Sequence, residues 1–194
     1  MTKRVFIWVA HPKSDSLCAG IAEAYSEGLR NAGADIRITY MSDMNFDLNC
    51  DGYGPDAPPL EPDLINWQDN MRWADHILIV HPYWWGAMPT KAKAVLDRAL
   101  SPGFAYKYRG RGIAWDKLLA GKTADIIVTS DTPPYLDTLV YWQPGRRVLK
   151  NQVLGFCGIK TRRSIQFGSV KTASARKVQG WLDRSRRLGQ LAAA

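Results

Sequence analysis

Two near-continuous apolar runs, Arg4-Val5-Phe6-Ile7-Trp8-Val9-Ala10 and residues 76–81, constrain the fold more than any other feature of the sequence. A strand with one wet face alternates apolar and polar residues, whereas a run that is apolar throughout belongs inside a parallel sheet covered on both faces. Each run gives way, after a loop, to helical periodicity. Leu17, Ile21, Ala24, Tyr25 and Gly28 recur at helix spacing after the first and end at Asn31-Ala32-Gly33, a helix stop. Ala92, Val95, Leu96, Ala99 and Leu100 recur after the second, within residues 90–100. The same alternation predicts strands over 35–40, 124–130 and 161–167, and helices over 62–73, 148–156 and 173–188. Five strands alternating with helices require right-handed crossovers and a parallel sheet, so the expected architecture is an α/β three-layer sandwich around a five-stranded parallel sheet. A chain of 194 residues, 46% of them hydrophobic, builds one substantial core and is short for two, so residues 1–194 read as a single domain.

Composition excludes several other classes. The longest apolar runs, such as Ile77-Leu78-Ile79-Val80, fall far short of the roughly 20 residues that cross a bilayer, and Met1-Thr2-Lys3-Arg4 leads straight into a strand without a secretory signal. A cytoplasmic location with no membrane insertion is the expectation. Cys18, Cys50 and Cys157 are odd in number and far apart, which reads as reduced thiols rather than a disulfide framework or metal cluster. No metal is expected, because His and carboxylate groups at ligand spacing are absent. His76 and His81 flank a buried strand and read as satisfied structural histidines. No G-x-S-x-G is present, and the cysteines have no histidine nearby in sequence, so hydrolysis is unsupported. Residues 146–194 hold twelve Lys or Arg against Asp183 alone. Such a basic end serves as a solvated helix face, as a field for an anionic cofactor, or as a nucleic-acid surface. The first two are favoured, and no nucleic-acid partner is expected.

In a parallel sheet of this kind, ligands bind beyond the carboxyl ends of the strands. The loops after strands one, three and four therefore carry the chemistry. The first, His11-Pro12-Lys13-Ser14-Asp15-Ser16, feeds a helix N-terminus whose free N–H groups and dipole favour an anion, although Ser16 reads equally well as a plain N-cap. The second, Pro82-Tyr83-Trp84-Trp85-Gly86-Ala87-Met88-Pro89, sets three large aromatics at the functional edge. A flat isoalloxazine requires stacking surface plus backbone N–H groups, and this loop offers both; the competing reading is that Trp84 and Trp85 cap the core or join a subunit interface. The third, Thr129-Ser130-Asp131-Thr132-Pro133-Pro134-Tyr135, gathers small polar groups able to approach the edge of a planar ligand, with Asp131 also suited to an Asx turn. Residues 42–62 and 101–117 read as long irregular excursions, the second with aromatics at Phe104, Tyr106, Tyr108 and Trp115.

At these residues the chain resembles the NAD(P)H quinone dehydrogenase (DT-diaphorase) family of flavodoxin-like flavoproteins. The resemblance runs from Val9-Ala10-His11 with Ser16, through Asp43-Met44-Asn45-Phe46-Asp47, Trp73-Ala74-Asp75, the aromatic loop and Gly103-Phe104-Ala105-Tyr106, to Phe156-Cys157-Gly158. It implies a flavodoxin-like fold and a flavin, FAD or FMN, with NAD(P)H as co-substrate and a quinone-like acceptor reduced by ping-pong hydride transfer. His11, Ser16, Leu17 and Cys18 would contact the cofactor's phosphate or ribose. Pro82, Tyr83, Trp84, Trp85, Gly86, Thr129, Asp131 and Thr132 would frame its ring. It also implies a homodimer in which Tyr106 and Tyr108 line the partner subunit's substrate pocket. Some relatives instead act as regulatory flavoproteins docked on a partner such as a transport system, which is the alternative reading. The chain departs from the family pattern in three places. Ser16-Leu17-Cys18 stands where members often have Ser-Phe-Asn, and Asp131-Thr132 replaces a glycine pair. Residues 133–145 lack the histidine that stabilises charge during hydride transfer, and Tyr135 is the expected substitute.

Overall fold

The computed structural model describes residues 2–53, 57–110 and 112–194; residues 54–56 and 111, within the two expected irregular excursions, lie outside it. Five strands form one parallel sheet in the order β2-β1-β3-β6-β7: β1 (Arg4–Val9), β2 (Asp35–Tyr40), β3 (His76–Pro82), β6 (Thr123–Thr129) and β7 (Lys160–Phe167). Helices α1 (Leu17–Asn31) and α7 (Ala175–Ala193) cover one face, while α2 (Pro62–Trp73), α3 (Thr90–Ala99) and the helical stretch after residue 143 cover the other. This is the expected three-layer sandwich, with boundaries within a few residues of those the periodicity predicts.

The apolar runs explain the layering. Successive side chains of a strand point to opposite faces, so Val5, Ile7 and Val9 enter the core under α1 and α7, whereas Phe6 and Trp8 enter the core under α2 and α3. There Trp67 of α2 meets both rings edge-on, with centroids 6.2 Å from Phe6 and 5.4 Å from Trp8. Neither face of β1 tolerates a polar side chain, which is why the run reads as continuous.

The amino half of the sheet carries a buried polar knot. His76 Nδ1 lies 2.7 Å from Thr123 Oγ1 and its Nε2 3.1 Å from the Tyr25 hydroxyl, which donates to Asp125 at 2.9 Å; Arg163 closes the knot on Asp125, also at 2.9 Å. Burial pushes the Asp125 carboxyl up, but hydrogen bonds from His76 and Arg163 outweigh it and hold the group below the usual carboxylate range. His76 is thus satisfied, as the sequence suggests. His81 departs from that expectation: Nδ1 lies 3.0 Å from the Pro82 carbonyl, but the buried Nε2 has no partner.

Three further elements depart from the sequence reading. The excursion after α3 contains a short antiparallel hairpin, β4 (Tyr106–Tyr108) and β5 (Trp115–Lys117), latched by an Arg109–Asp116 ion pair. After β6 the chain forms α4 (Pro134–Leu139), and then α5 (Pro144–Arg147) widens to a π-helix over Val148–Leu154 before α6 (Gly155–Cys157). The cysteines are unpaired, with Cys18 and Cys157 buried and Cys50 exposed. Among the described residues no helix is long and apolar enough to cross a membrane, and no three His, Cys, Asp or Glu groups stand together to hold a metal.

Helices α1 and α7 approach at two glycines. A Cβ on Gly28 would lie 1.9 Å from the Arg186 carbonyl oxygen, and one on Gly189 2.0 Å from that of Tyr25. Both obstacles are backbone, so a methyl group must separate the helices. Gly28→Ala is expected to destabilise the protein by about 1–3 kcal/mol, a fall in Tm of roughly 2–4 °C per kcal/mol for a chain of this size. A thermal melt that matches the wild type would show that the helices separate freely.

Candidate functional site

The parallel sheet brings the loops after β1, β3 and β6 to one edge, where they enclose a cavity of about 320 Å³. His11, Ser16, Leu17 and Cys18 enter it from the first loop, Pro82, Tyr83 and Trp84 from the second, and Thr129 and Asp131 from the third.

The first loop caps α1. Ser16 Oγ accepts from the Ala19 N–H at 3.2 Å, and the Ser16 carbonyl accepts from Gly20 N–H at 3.1 Å. Of the four N–H groups that a helix start leaves without intrahelical partners, those of Ser16, Leu17 and Cys18 remain, and they belong to cavity-lining residues. The N-cap reading of Ser16 and the anion reading of the loop therefore hold together. His11 Nδ1 lies 3.0 Å from the Lys13 N–H and 3.2 Å from the Lys13 carbonyl, which ties the ring to its own loop and leaves Nε2 free of a partner among the described residues. Burial lowers the His11 pKa. Cys18 turns its thiol inward, 3.3 Å from Thr129 Oγ1, and burial pushes it up to about 12. Its contribution to a ligand is its backbone N–H, not its sulfur.

The second loop makes a two-residue hairpin turn. Trp84 and Ala87 exchange N–H to carbonyl bonds of 2.9 and 3.1 Å, and the intervening Trp85 and Gly86 both have positive φ, 54° and 73°. This is the type I′ geometry, natural for Gly and strained by about 1–3 kcal/mol for a non-glycine residue such as Trp85. The turn separates two neighbours that the sequence reading placed together. Trp84 stands half-exposed in the cavity, edge-on to His11 with centroids 6.1 Å apart. Trp85 is fully exposed and, with Gly86, borders a second, apolar cavity of about 330 Å³ lined by Met88, Leu96 and Leu149.

The third loop is tied to the rest of the edge. The Tyr83 N–H donates to the Thr129 carbonyl at 2.7 Å, continuing the ladder between β3 and β6. Ser130 Oγ donates to the Thr132 carbonyl at 2.8 Å and accepts from Gln166 Nε2 at 2.8 Å. Asp131 is not engaged in an Asx turn on its own loop: Oδ1 accepts from the Lys171 N–H at 2.8 Å and clasps the loop after β7. That loop adds Val170 to the cavity wall, a residue for which the sequence carries no signal.

Besides Trp85 and Gly86, four expected site residues lie outside this cavity. Thr132 acts through its carbonyl, behind the cavity wall. Tyr135 is exposed on α4 and outside the lining. Tyr106 and Tyr108 pack on each other with centroids 5.4 Å apart, in the hairpin, with Tyr106 against Phe156. The sequence reading also passes over Gly145, which sits against the Tyr83 ring, and the buried ion pair Asp137–Arg146.

A family model described as a flavodoxin-like fold matches residues 3–188. The chain is 27% identical over 156 residues to the ribosyldihydronicotinamide dehydrogenase-like protein traD of Penicillium crustosum, covering 65% of this chain and 57% of that longer protein. It is 25% identical over 214 residues to ribosyldihydronicotinamide dehydrogenase [quinone] of Rattus norvegicus, covering 94% of this chain and 90% of the relative. Among solved structures, Smu.1420 from Streptococcus mutans superposes with a TM-score of 0.83 at 25% identity, covering 98% of this chain and all of the other.

The seat of the aromatic loop depends on a missing side chain. A Cβ on Gly145 would lie 2.3 Å from the Gly86 carbonyl oxygen and 3.0 Å from Tyr83 Cε1. Gly145→Ala is therefore expected to displace the loop, lowering stability by about 1–3 kcal/mol and shifting the tryptophan emission as the surroundings of Trp84 change. Unaltered emission and melting together would show that the loop does not rest on this contact.

Proposed function

The chain belongs to the flavodoxin-like fold family, and from that premise we propose that it is a flavin-dependent NAD(P)H oxidoreductase that reduces quinones or similar acceptors. One observation carries the reading: a single cavity joins an anion seat at the start of α1 to an indole surface and a small polar loop. The donor set suits a flavin. The Leu17 and Cys18 N–H groups, with the His11 ring beside them, would hold a phosphate. The Trp84 indole would offer apolar surface to the ring, and the backbone around Thr129 and Asp131 would meet its polar edge. The name of the rat relative supports a nicotinamide donor and a quinone acceptor.

A bound flavin supplies acceptance of hydride from the nicotinamide and its later donation to the acceptor, while the chain supplies position and electrostatics. The Cys18 thiol, buried and raised to about 12, stays protonated and unreactive beside the cofactor seat. The basic residues beyond 146 raise the local concentration of an anionic dinucleotide. Tyr135, at the exposed start of α4, donates a hydrogen bond to the developing oxyanion of the acceptor. In a homodimer, Tyr106 and Tyr108 would line the substrate pocket of the partner subunit, consistent with a hairpin that stands away from its own cavity.

Protein reconstituted with FMN or FAD is expected to turn yellow and to oxidise NADH or NADPH in the presence of a simple quinone, with parallel double-reciprocal lines as the quinone is varied. Protein that takes up neither flavin defeats the proposal, and fully loaded protein without turnover favours a docking role instead. For Tyr135→Phe the expectation is a drop of roughly a hundredfold in acceptor reduction, the lower end for a lost oxyanion donor, with flavin reduction unchanged. Equal acceptor reduction by this variant removes Tyr135 from the reaction.

A further inference from the structure

Four consecutive large apolar or aromatic side chains at the end of α4, those of Leu139, Val140, Tyr141 and Trp142, are each between 57% and 74% exposed. Single exposed hydrophobics are ordinary, whereas a contiguous group marks a contact surface. The segment is built, not frayed. The Val140 and Tyr141 N–H groups donate to the Leu136 carbonyl at 2.9 and 3.2 Å, and the Gln143 N–H donates to the Asp137 carbonyl at 2.8 Å. Trp142 and Gln143 close the turn in left-handed conformations, φ 60° and 56°, which strain residues other than glycine. The resulting aromatic tip belongs to the edge of the sheet where the cofactor cavity opens. Its helix starts directly after the polar loop that walls that cavity, with Tyr135 exposed on the first turn. Just past the tip, Pro144 lines the second, apolar cavity together with the exposed Trp85 and the half-exposed Val148.

Charge around the tip has one sign. Among the described residues 132–182 the sole carboxylate is Asp137, which is buried and paired with Arg146 at 3.0 Å. Arg147 and Lys150, in the helical stretch after the tip, are exposed. The start of α4 receives a third exposed cation, Lys171, from the loop after β7. That loop is pressed against α4, since a Cβ on Gly168 would lie 2.5 Å from Pro134 Cδ, and the exposed carboxylate nearby, Asp131, accepts from the Lys171 N–H at 2.8 Å. Cations therefore stand at both ends of an apolar segment. A nucleic-acid site sets its cations at the centre of the contact, on the phosphates, whereas here the centre is apolar and the cations flank it. Such an order suits an anionic bilayer: aliphatic chains enter the acyl boundary, amphipathic Tyr and Trp rings sit at headgroup level, and Lys and Arg pair with anionic lipid.

We propose that residues 139–142, flanked by Arg147, Lys150 and Lys171, dock the protein on an anionic phospholipid surface, lying on the bilayer without crossing it and turning the edge of the cofactor cavity toward the lipid. The acceptor class that follows is a quinone dissolved in lipid, which would meet Tyr135 from the bilayer side; this part rests on the flavin reading above, whereas docking itself needs no flavin. A patch of this size gives reversible attachment, and salt weakens its electrostatic part.

The full-length, flavin-loaded protein is expected to co-sediment with vesicles of mixed phosphatidylglycerol and phosphatidylcholine, to be released by salt, and to bind phosphatidylcholine alone only weakly. Leu139→Ser with Trp142→Ser, both at exposed positions, is expected to keep the wild-type melting temperature and the wild-type turnover with a water-soluble quinone. The same variant is expected to bind the mixed vesicles about tenfold more weakly and to reduce a long-chain quinone carried in them about tenfold more slowly. Arg147→Glu with Lys150→Glu is expected to bind the mixed vesicles roughly tenfold more weakly while binding phosphatidylcholine as the wild type does. Absence of vesicle binding by the wild type, undiminished binding by the serine variant, or equal reduction of the vesicle-borne quinone by the two overturns the proposal. So does light scattering that finds the wild type a dimer and the serine variant a monomer, because a second copy then covers the tip. Failure to take up flavin, or to turn over with either quinone once loaded, overturns the flavin reading instead, and vesicle binding by the unloaded protein still decides whether the tip docks.

Discussion

The pairing of β3 with β6 is the constraint from which the site follows. Its register runs from His76 opposite Thr123 to Pro82 opposite Thr129, and every residue of β3 is buried. One end of the pair is fixed by the knot of Tyr25, His76, Asp125 and Arg163, which leaves little freedom to slip, since a one-residue shift would turn each inward side chain outward. The other end consequently delivers Tyr83 and Thr129 side by side, and the Tyr83 N–H closes the last bond of the ladder. β1 pairs with β3 on its far side, so the α1 N-terminus reaches the same edge. The anion seat, the indole and the small polar loop thus converge because three adjacent parallel strands end together.

Much of this was legible in the sequence because burial on two faces leaves an unbroken apolar run, and only central parallel strands require one. Arg4-Val5-Phe6-Ile7-Trp8-Val9-Ala10 and residues 76–81 announced the sheet, and the loops after them announced the edge. The hairpin at Tyr106–Tyr108 and Trp115–Lys117 was not legible, since three-residue strands are too short to display a period of two. Nor was the division of Trp84 from Trp85: consecutive aromatics look equivalent in sequence, and a positive φ at a tryptophan runs against its conformational preference. Charge was misleading for a related reason. The basic end reads as one surface, yet Arg146, Arg163 and Arg186 pair with Asp137, Asp125 and Glu27, partners that lie 9, 38 and 159 residues away.

The departures from local preference concentrate around the aromatic loop. Trp85, Trp142 and Gln143 take left-handed backbone conformations without being glycine, and glycine does appear at position 145, where the loop's own carbonyl leaves no room for a side chain. On the same strand His76 finds partners for both ring nitrogens, whereas His81, five residues along, keeps a buried nitrogen without one. The two histidines share a strand and a degree of burial, so strand chemistry does not distinguish them. What differs is the end of the sheet they occupy. At the amino end the knot of Tyr25, His76, Asp125 and Arg163 sets the register even though Asp125 Oδ1 has no partner; at the carboxyl end His81 Nε2 and Tyr83 Oη lack partners beside a loop held in a conformation it would not choose alone. Backbone strain persists where the surrounding structure over-determines it, and here the β3–β6 ladder through Tyr83 and the close approach of Gly145 to the Gly86 carbonyl hold the turn that carries Trp84.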